Sequence, residues 1–477
     1  MNIDHVALLP AYCAGGTALL AFLVDLLVPG RRAAVAGATV LGAVATAVAA
    51  VAVGTGPVRQ TLCSAGCSYV ADHRAALVAV LFAALTLVVV ALSVPDQSQG
   101  EYYFLLGCSM TGGVVLGYTR DLISLTIAVE TLTLPLYPLV AFRRRDLASA
   151  QGAVTFFVVS VVSTTVTLLG AALLYASTGA LHFTALAAAL SQGQRLPLTT
   201  TGAVLVIAGL AFKVAAVPLH AWAPAAYDGA PVPVAGYLST ASKLGGVIAI
   251  LYIAVDALRP ALDIVGPALA VLAALSMTVG NLGALRQTRM VRLLAWSSVA
   301  QAGYLLAPLG ALALARGRTP EALNTAVAAT VGYTVFYVIL EIGAFGAVVA
   351  LRGGQDGGSI ADYRGSARRA PWVTGVFTLA LIGLAGLPPG LAGLFAKIVV
   401  VRSVLSGGSA WLAIVVAVNA VVGLAYYLRA AGALFATGDE TPRTRVRWPV
   451  AAALGAVTVV AVVVGFAPQL VLDAAGW

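Results

Sequence analysis

The chain is built from long runs of predominantly apolar residues that are separated by short polar gaps. A helix needs about 20 such residues to cross the hydrocarbon core of a bilayer. Backbone groups in lipid must be hydrogen-bonded within the segment, and the alternating pattern of barrel strands is absent, so the runs are predicted to be helices. They lie at 6–28, 33–53, 75–94, 102–119, 121–141, 152–176, 199–221, 231–255, 264–285, 291–315, 323–351, 372–404, 410–435 and 448–470.

Composition supports this interpretation, because 61% of the residues are hydrophobic and only 9% are charged. A soluble domain has roughly 25% charged residues. No soluble core could hide so much apolar surface, so the lipid bilayer must surround most of the chain. The sequence therefore predicts an all-α polytopic membrane protein with about fourteen transmembrane helices.

The net charge of +9 comes from arginines that are scattered over the gaps, which does not indicate a nucleic-acid surface. One alternate set of gaps holds Arg31, Arg32, Arg143, Arg144, Arg145, Arg286, Arg289, Arg292, Arg352, Arg364, Arg368, Arg369, Arg443, Arg445 and Arg447. The opposite set holds Arg59, Arg74, Arg120, Arg195, Arg259, Arg316 and Arg318. Positive residues favour the cytoplasmic side, so the first set is predicted to be cytoplasmic and both termini extracytoplasmic.

The four cysteines fit no zinc or iron–sulfur spacing. This topology places Cys63 and Cys67 in an extracytoplasmic loop, where a local disulfide and two unpaired thiols are both compatible with the spacing. The other two cysteines are Cys13 and Cys108. No basic segment precedes the first apolar run, so we expect no cleaved signal peptide.

Only three lysines occur in the chain, and Lys213, Lys243 and Lys397 all lie inside apolar runs. The 24 arginines lie mostly in the gaps, where lysines present for solubility would also be found. A charged amine in hydrocarbon costs about 2.5 kcal/mol or more, so it is retained mainly where it acts. Unlike an arginine, a buried lysine can release its proton. The pattern predicts a membrane protein that handles protons or cations.

Glu130 is an acidic residue near the middle of the fifth run. With a purely structural role, Glu130 would be a protonated acid that is hydrogen-bonded to a neighbouring helix. An ionisable group at this depth instead indicates a functional site. Lys213, two runs later, is a natural partner. Opposite charges in contact keep both groups ionised and separation favours their neutral forms, so the pair is predicted to act as a proton switch.

Two of the lysines lie beside prolines that are expected to break helices 7 and 12. Lys213 precedes Pro218, whereas Lys397 follows Pro388 and Pro389. Broken helices at membrane depth line cavities and recur at transporter ion sites. The reversed order of lysine and proline, five spans apart, predicts two inverted repeats of five helices; two unrelated kinks are the alternative.

Lys243 lies between these two lysines in the chain. Chain order therefore places Glu130 and Lys213 in one half-channel, Lys243 at the join, and Lys397 in a second half-channel.

Two further titratable groups are weaker candidates. His220 lies just past the first break and can relay protons near neutrality, while a hydrogen bond at a helix end explains it equally well. Glu341 is a second intramembrane carboxylate, with no lysine or proline near it in sequence. Hydroxyls that can hold water or simply pack helices are those of Ser239, Thr240, Ser242 and Tyr304.

No nucleotide-binding loop, haem or flavin motif, or Ser–His–Asp order is present in the sequence. We expect no cofactor in this chain, and energy must arrive from an ion gradient or from a partner subunit.

The segment KVAAVPLHAWAPAAYDGAPVPVAGYLSTASK, residues 213–243, resembles the proton-translocating, antiporter-like membrane subunits of respiratory complex I. That family includes Mrp-type cation/proton antiporters. The resemblance extends from about residue 100 to 435. Its other motifs are the Glu130 helix, the corner formed by Pro218, His220, Trp222 and Pro224, WSSVAQAGY at 296–304, and the double-proline helix with Lys397.

Within the family the chain is most similar to the N-type subunits of NADH-quinone oxidoreductase. AYDGAPVPV, QAGY and Lys397 carry this similarity, since M-type subunits have glutamate at the last position. The chain is expected to lack the long lateral helix of L-type subunits. The resemblance implies that Glu130 and Lys213 are the paired switch, Lys243 the central relay, and Lys397 the exit or second-channel residue. Glu341 differs from the neutral residue expected at its position.

The resemblance implies a proton-translocating membrane-arm subunit of a bacterial NADH:quinone oxidoreductase in the plasma membrane. Flavin, iron–sulfur clusters and quinone are then expected on partner subunits, and the partners are other membrane subunits of complex I. The alternatives are an Mrp-type Na⁺(K⁺)/H⁺ antiporter subunit and a scaffold that does not pump. The implied domains are three helices at 1–99, repeats at 100–255 and 256–435, and a last helix at 436–477.

Overall fold

The structure is a computed structural model that describes residues 3–64, 66–94, 99–143, 146–192, 196–438 and 445–474. Four arginines of the topology prediction lie outside these residues: Arg144, Arg145, Arg195 and Arg443. The chain packs as two units. The first comprises Met1–Leu139, Ser160–Lys213 and Ile248–Ala261, and the second comprises Val140–Val159, Val214–Val247 and Leu262–Trp477. The boundaries predicted after residues 99, 255 and 435 separate sequence repeats, and the division into packed units does not test them.

The first nine helices precede the first broken region and belong mainly to the first unit, although α7 contributes to both units. They are α1 (Leu9–Leu27), α2 (Arg32–Gly54), α3 (His73–Ser93), α4 (Gly100–Tyr118), α5 (Leu122–Thr133), α6 (Leu136–Val140), α7 (Leu147–Thr178), α8 (Phe183–Gln192) and α9 (Pro197–Lys213).

In the part of the chain that the structure describes, a small hairpin is the exception to the predicted all-α fold. Strands β1 (Arg59–Cys63) and β2 (Cys67–Ala71) pair antiparallel between α2 and α3. Cys63 and Cys67 form a disulfide across the end of the hairpin, which decides between the two alternatives that the spacing left open. Cys13 and Cys108 are free thiols.

Twelve further helices follow Lys213 within the described ranges, and α12 contributes to both units. They are α10 (Trp222–Gly229), α11 (Val232–Tyr237), α12 (Lys243–Tyr252), α13 (Leu262–Leu285), α14 (Met290–Gly310), α15 (Pro320–Arg352), α16 (Ser366–Arg369), α17 (Pro371–Ala385), α18 (Leu391–Ser406), α19 (Ala410–Phe435), α20 (Trp448–Phe466) and α21 (Gln469–Ala474). Two π-helical turns flank α12, at Leu238–Ser242 and Ile253–Ala257, and short 3-10 turns lie at Arg259–Ala261, Ala311–Ala313, Ala315–Arg318 and Ile360–Tyr363.

α15 is the central helix of the second unit. Of its apolar stretch, 89% is buried, and it packs against α11, α14, α17, α18 and α20. A polar side chain on its inner face is therefore surrounded by other helices.

The seventh predicted run is not one continuous helix. Helix α9 ends at Lys213, and Ala215 adopts a positive φ of 56°, which takes the chain out of the helical region. The N–H of Val217 donates to Ser276 Oγ at 2.9 Å instead of to a helical carbonyl. Pro218 has no N–H to donate, so the break falls where the proline predicts it.

The twelfth predicted run is also divided. α17 ends at Ala385, and Gly386 adopts φ 83° while its N–H donates to a carbonyl of the preceding turn at 3.0 Å. This is a helix end of the kind that glycine favours. Pro388 and Pro389 follow, and α18 begins at Leu391.

Each of the fourteen predicted runs contains helix, but only ten helices in the described parts of the chain are long and apolar enough to cross a membrane. The difference has two causes. The helices α9, α17 and α18 have 17, 15 and 16 residues because prolines interrupt their runs. α4 carries five glycines and several hydroxyl groups, and α14 carries Arg292, Gln301 and two serines, which lower the hydropathy of these helices.

Candidate functional site

The first unit contains a buried ion pair between α5 and α9. Glu130 lies on the last turn of α5, which ends just before Pro135, and Lys213 is the last residue of α9. Lys213 Nζ lies 2.7 Å from Glu130 Oε1. The side chain of Lys213 is 4% exposed and that of Glu130 is 21% exposed. The two residues that the sequence predicts as partners are therefore in direct contact.

A shell of hydroxyl groups completes this pair. Lys213 Nζ also donates to Thr133 Oγ1 and Ser160 Oγ, both at 3.1 Å, so all three of its donors have acceptors. Thr164 donates to Glu130 Oε1 at 2.6 Å. A buried ammonium with a carboxylate and two hydroxyls around it is stabilised in its charged form, and removing the carboxylate would leave that charge uncompensated.

In the second unit, Lys243 is fully buried at the start of α12, directly after the π-helical turn Leu238–Ser242. Its Nζ donates to the backbone carbonyl of Ser298 on α14. A π-turn leaves helical carbonyls and side chains in altered register and is frequent at functional sites.

Glu341 on α15 lies at the centre of a polar cluster with residues from the π-turn and α14. Ser239 Oγ donates to Glu341 Oε1 at 2.7 Å. The Tyr337 hydroxyl lies 3.0 Å from both Ser239 Oγ and Ser298 Oγ. Lys243 bonds to the Ser298 carbonyl, so its amine lies in the same polar cluster as the Glu341 carboxylate. The two groups form no ion pair in the described part of the chain.

Lys397 on α18 reaches back across the second helix break. Its Nζ donates to the carbonyl of Ala385, the last residue of α17, at 2.5 Å. The carbonyl end of a helix carries partial negative charge, which stabilises a cation there. The amine also lies 5.2 Å from the centre of the Tyr304 ring. Gly386 makes this approach possible, because a Cβ at that position would lie 2.7 Å from Lys397 Cδ.

A second polar face of α14 leads towards this lysine. Gln301 Nε2 donates to Tyr427 at 3.0 Å and to the Leu384 carbonyl at 3.3 Å, and Tyr333 donates to Gln301 Oε1 at 2.5 Å. Ser297 also hydrogen-bonds to Tyr427. The WSSVAQAGY motif thus supplies two polar faces, one towards Lys243 and Glu341 and one towards Lys397.

The remaining candidates have more ordinary surroundings. His220 is partly exposed, lies 3.3 Å from the Pro218 carbonyl through Nδ1, and packs against Trp296 at 5.2 Å between ring centres. Thr240 donates to its own helix at the Gly236 carbonyl, as packing threonines do. Ser242 Oγ is buried and makes no hydrogen bond to the described residues.

Several residues of both sites were not identified from the sequence. Thr133, Ser160 and Thr164 surround the first pair, and Ser298, Tyr337 and Gln301 connect the second cluster. Helical spacing was an available signal for two of them, because Thr133 follows Glu130 by three residues and Tyr337 precedes Glu341 by four. Ser298 and Gln301 lie in the WSSVAQAGY motif that carries the family resemblance, whereas Ser160 and Thr164 are common polar residues whose position depends on which helices pack together.

The geometry can store and pass protons rather than carry out covalent chemistry. Each lysine is buried beside groups that can accept its proton or hold a bridging water, and hydroxyl groups can both donate and accept. Among the residues that the structure describes, no group of three His, Cys, Asp or Glu side chains is arranged to hold a metal ion.

Comparison with known proteins identifies the family of the chain. Residues 119–423 match the family model for the transmembrane region of NADH:quinone oxidoreductase and Mrp antiporters. The chain is 60% identical to NADH-quinone oxidoreductase subunit N of Salinispora tropica, with 99% of each chain covered. It superposes with a TM-score of 0.81 and 29% identity on a chain of respiratory complex I from Thermus thermophilus, covering 98% of this chain and 100% of that one.

A chain of the Mrp complex from Dietzia sp. DQ12-45-1b superposes equally well, with a TM-score of 0.81 and with 99% of this chain and 97% of that chain covered. The two chains are only 23% identical, so this likeness shows a common fold alone. The higher identity lies with the oxidoreductase subunits. The chain therefore belongs to the NADH:quinone oxidoreductase/Mrp antiporter family and, within it, to the NADH-quinone oxidoreductase subunit N branch.

Proposed function

We propose that this chain is a proton-translocating membrane-arm subunit of NADH:quinone oxidoreductase, in which quinone reduction elsewhere in the complex drives protons through buried lysines and glutamates. The observation that carries the proposal is the buried Glu130–Lys213 ion pair at the end of a broken helix. The family membership supports the same assignment.

The Glu130–Lys213 pair acts as the switch. While it is closed, the carboxylate and two hydroxyls hold the ammonium charged. Separation of the two groups by a movement of α9 leaves each charge in a poor environment, at a cost of several kcal/mol. Lys213 then releases a proton to the next acceptor and becomes a neutral amine, and closure of the pair favours its reprotonation.

Lys243 and Lys397 continue the pathway in the second unit. Lys243 is the central relay, since it lies in the polar cluster that also holds Glu341. Lys397 is the exit or second-channel residue, held at the carbonyl end of α17. His220 stays a weaker candidate for a relay because its hydrogen bond is to a backbone carbonyl.

The topology belongs to the same proposal. We assign about fourteen transmembrane helices in the bacterial plasma membrane with both termini extracytoplasmic. The Cys63–Cys67 disulfide supports this orientation, because disulfides persist in oxidising compartments and the hairpin lies in a loop assigned to that side.

Two inverted five-helix repeats, at 100–255 and 256–435, form the core of this arrangement. The order of the lysine and the helix break in each of the two broken runs supports these repeats. Lys213 precedes the break after α9, and Lys397 follows the break between α17 and α18. Broken helices that form ion sites are typical of inverted repeats in transporters.

The redox groups of such a complex lie on other subunits. Flavin, iron–sulfur clusters and quinone would bind to partner proteins, and other membrane subunits of complex I would flank this chain. Its own residues then bind, hold and move protons.

The test is a Lys397→Ala variant in the assembled complex, reconstituted in vesicles. Proton translocation per electron is expected to fall about tenfold or more, because a positioned proton-transfer group is lost. The matched control is Arg402→Ala, since Arg402 is an exposed cation on the same helix. Undiminished pumping by the lysine variant in a complete complex contradicts the proposal.

The same preparation separates the alternatives. A cation-dependent proton flux without NADH would indicate an Mrp-type antiporter subunit. Wild-type proton stoichiometry after all three lysines are replaced would indicate a scaffold.

A further inference from the structure

The carboxylate of Glu341 has a buried polar neighbour outside the chain of lysines. Tyr227, on α10, is fully buried and lies near enough to Ser239, Ser298 and Glu341 for its hydroxyl to interact with them electrostatically. Its ring packs on Phe345, one turn beyond Glu341 on α15, at 6.3 Å between centres. Tyr227 therefore lies against the same face of α15 as the polar cluster.

Two polar atoms in this cluster form no hydrogen bond of normal length and angle to the described residues. They are the Tyr227 hydroxyl and Glu341 Oε2, and both side chains are 0% exposed. Leaving a buried donor or acceptor unsatisfied costs about 1–3 kcal/mol, so such groups are expected to take a bridging water or a proton. A phenol beside a carboxylate is a suitable pair for this, because the phenol both donates and accepts.

The next residue, Asp228, lies in a network of ion pairs at the C-terminal end of α10. Arg289 Nε donates to both oxygens of Asp228, at 2.9 and 3.0 Å, and the other end of that guanidinium binds Asp356 at 2.9 Å. Arg352 adds contacts to Asp356 at 3.4 Å and to Asp362 at 3.8 Å. The carboxylate of Asp356 is 42% exposed, so this network, which we call the outer network, meets solvent.

Three helices connect the outer network with the buried cluster. On α10, Asp228 and Tyr227 are adjacent. On α14, Arg289 at the start and Ser298 in the cluster are nine residues apart, or about 14 Å along the helix axis. On α15, Arg352 ends the helix and Glu341 lies eleven residues earlier, or about 16 Å. Tyr227 shortens this distance. It directly precedes Asp228 in the chain, and its buried side chain packs against Phe345 on α15.

We propose that α10 is a proton-uptake element, in which the Tyr227 hydroxyl relays protons from the solvent at the outer network to the Glu341 carboxylate. A hydronium ion from the solvent gives a proton to the Tyr227 oxygen and becomes water, while the hydroxyl proton passes to Glu341 Oε2. One O–H bond forms and one breaks at the phenol, which stays neutral, and the carboxylate becomes a carboxylic acid. The new charge state of Glu341 changes the field at Lys243, with which it interacts electrostatically. This uptake route lies within the second unit.

The inference rests on the proposed function, and its test uses Tyr227→Phe in the assembled complex in vesicles. The change removes the hydroxyl and keeps the ring contact with Phe345. Initial proton uptake at matched electron flux is expected to slow about tenfold, since a positioned relay group is lost. Tyr118→Phe is the matched control, because Tyr118 is a buried tyrosine of the first unit whose hydroxyl likewise makes no hydrogen bond to the described residues.

Two further variants test each end of the route. Glu341→Gln is expected to slow uptake by the same factor, and the double variant with Tyr227→Phe is expected to be no slower than either single variant, because the groups act in series. Asp228→Asn tests the outer end at the surface. If it lowers thermal stability and leaves the ratio of protons to electrons unchanged, the outer network only holds the loop and the uptake route is wrong.

The outcomes separate this inference from the proposed function. Normal pumping by Tyr227→Phe and Glu341→Gln, with pumping lost in Lys397→Ala, overturns the uptake route and leaves the proposed function standing. Normal pumping by all three variants overturns both.

Discussion

Glu130→Gln is the most direct test of the switch, because it removes one charge and little volume. Glu130 Oε1 accepts from Lys213 at 2.7 Å and from Thr164 at 2.6 Å. An amide oxygen can still accept one of these hydrogen bonds, but it carries no charge to balance the ammonium. The remaining acceptors of Lys213 are the neutral hydroxyls of Thr133 and Ser160.

The expected size of the effect follows from the geometry. Two unit charges 2.7 Å apart attract by about 6 kcal/mol at an effective dielectric constant near 20. Desolvation offsets part of this attraction, and removing one partner of a buried pair typically costs about 3–5 kcal/mol. Glu130 is 21% exposed, so we take the lower figure of about 3 kcal/mol. This cost falls on the charged form of Lys213, because its partner has been removed.

The assay is proton translocation per electron by the assembled complex in vesicles, measured beside NADH oxidation by an artificial acceptor. We expect Glu130→Gln to lose most of its pumping, and Glu101→Gln, an exposed glutamate on α4, to behave as wild type. The double variant Glu130→Gln with Lys213→Met should be less destabilised than the sum of the two single variants, since neither charge is left alone. An assembled Glu130→Gln complex with the wild-type proton ratio would refute the assignment of this pair as the switch.

Two other predictions concern the second helix break and the outer network. Gly386→Ala should lower the melting temperature, because a positive φ of 83° costs about 1–2 kcal/mol for alanine. It should also reduce pumping, because the new Cβ meets the Lys397 side chain. Gly375→Ala is the control, because there is open space around Gly375. The hydrogen bond from Arg289 holds the pKa of Asp356 below its ordinary value of 3.8, so this carboxylate stabilises the fold above about pH 4 and loses its contribution as the pH falls through the depressed value. Thermal melts between pH 6 and 3 should therefore fall less steeply for Asp356→Asn than for the wild type, and equal slopes would contradict this role.

Helix breaks were largely predictable, because proline acts through its own covalent structure. Pro218 and the pair at 388–389 lack N–H groups wherever the chain places them, and α9 and α17 end near them. The lengths of the resulting helix pieces were not predictable to the residue. The end of α9 at Lys213 also depends on Ser276, a distant residue that accepts the Val217 N–H.

Partners of the buried charges were predictable only in part. The Glu130–Lys213 contact followed from two rare groups on nearby runs. The surroundings of Glu341 did not, because Ser239 lies 102 residues away in the sequence and serines are common in apolar helices. The disulfide between Cys63 and Cys67 also required the hairpin that pairs their strands.

The sequence by itself determined that the chain forms apolar helices suited to a membrane and that three amines and two carboxylates lie within the apolar runs, because apolar length and the cost of bare charge are properties of each segment alone. Only the tertiary structure decided which carboxylate contacts which lysine, which hydroxyls complete each site, and that α14 presents two polar faces. Those facts depend on the rotation of each helix about its axis, which packing against neighbours fixes and which the order of residues in one segment does not encode.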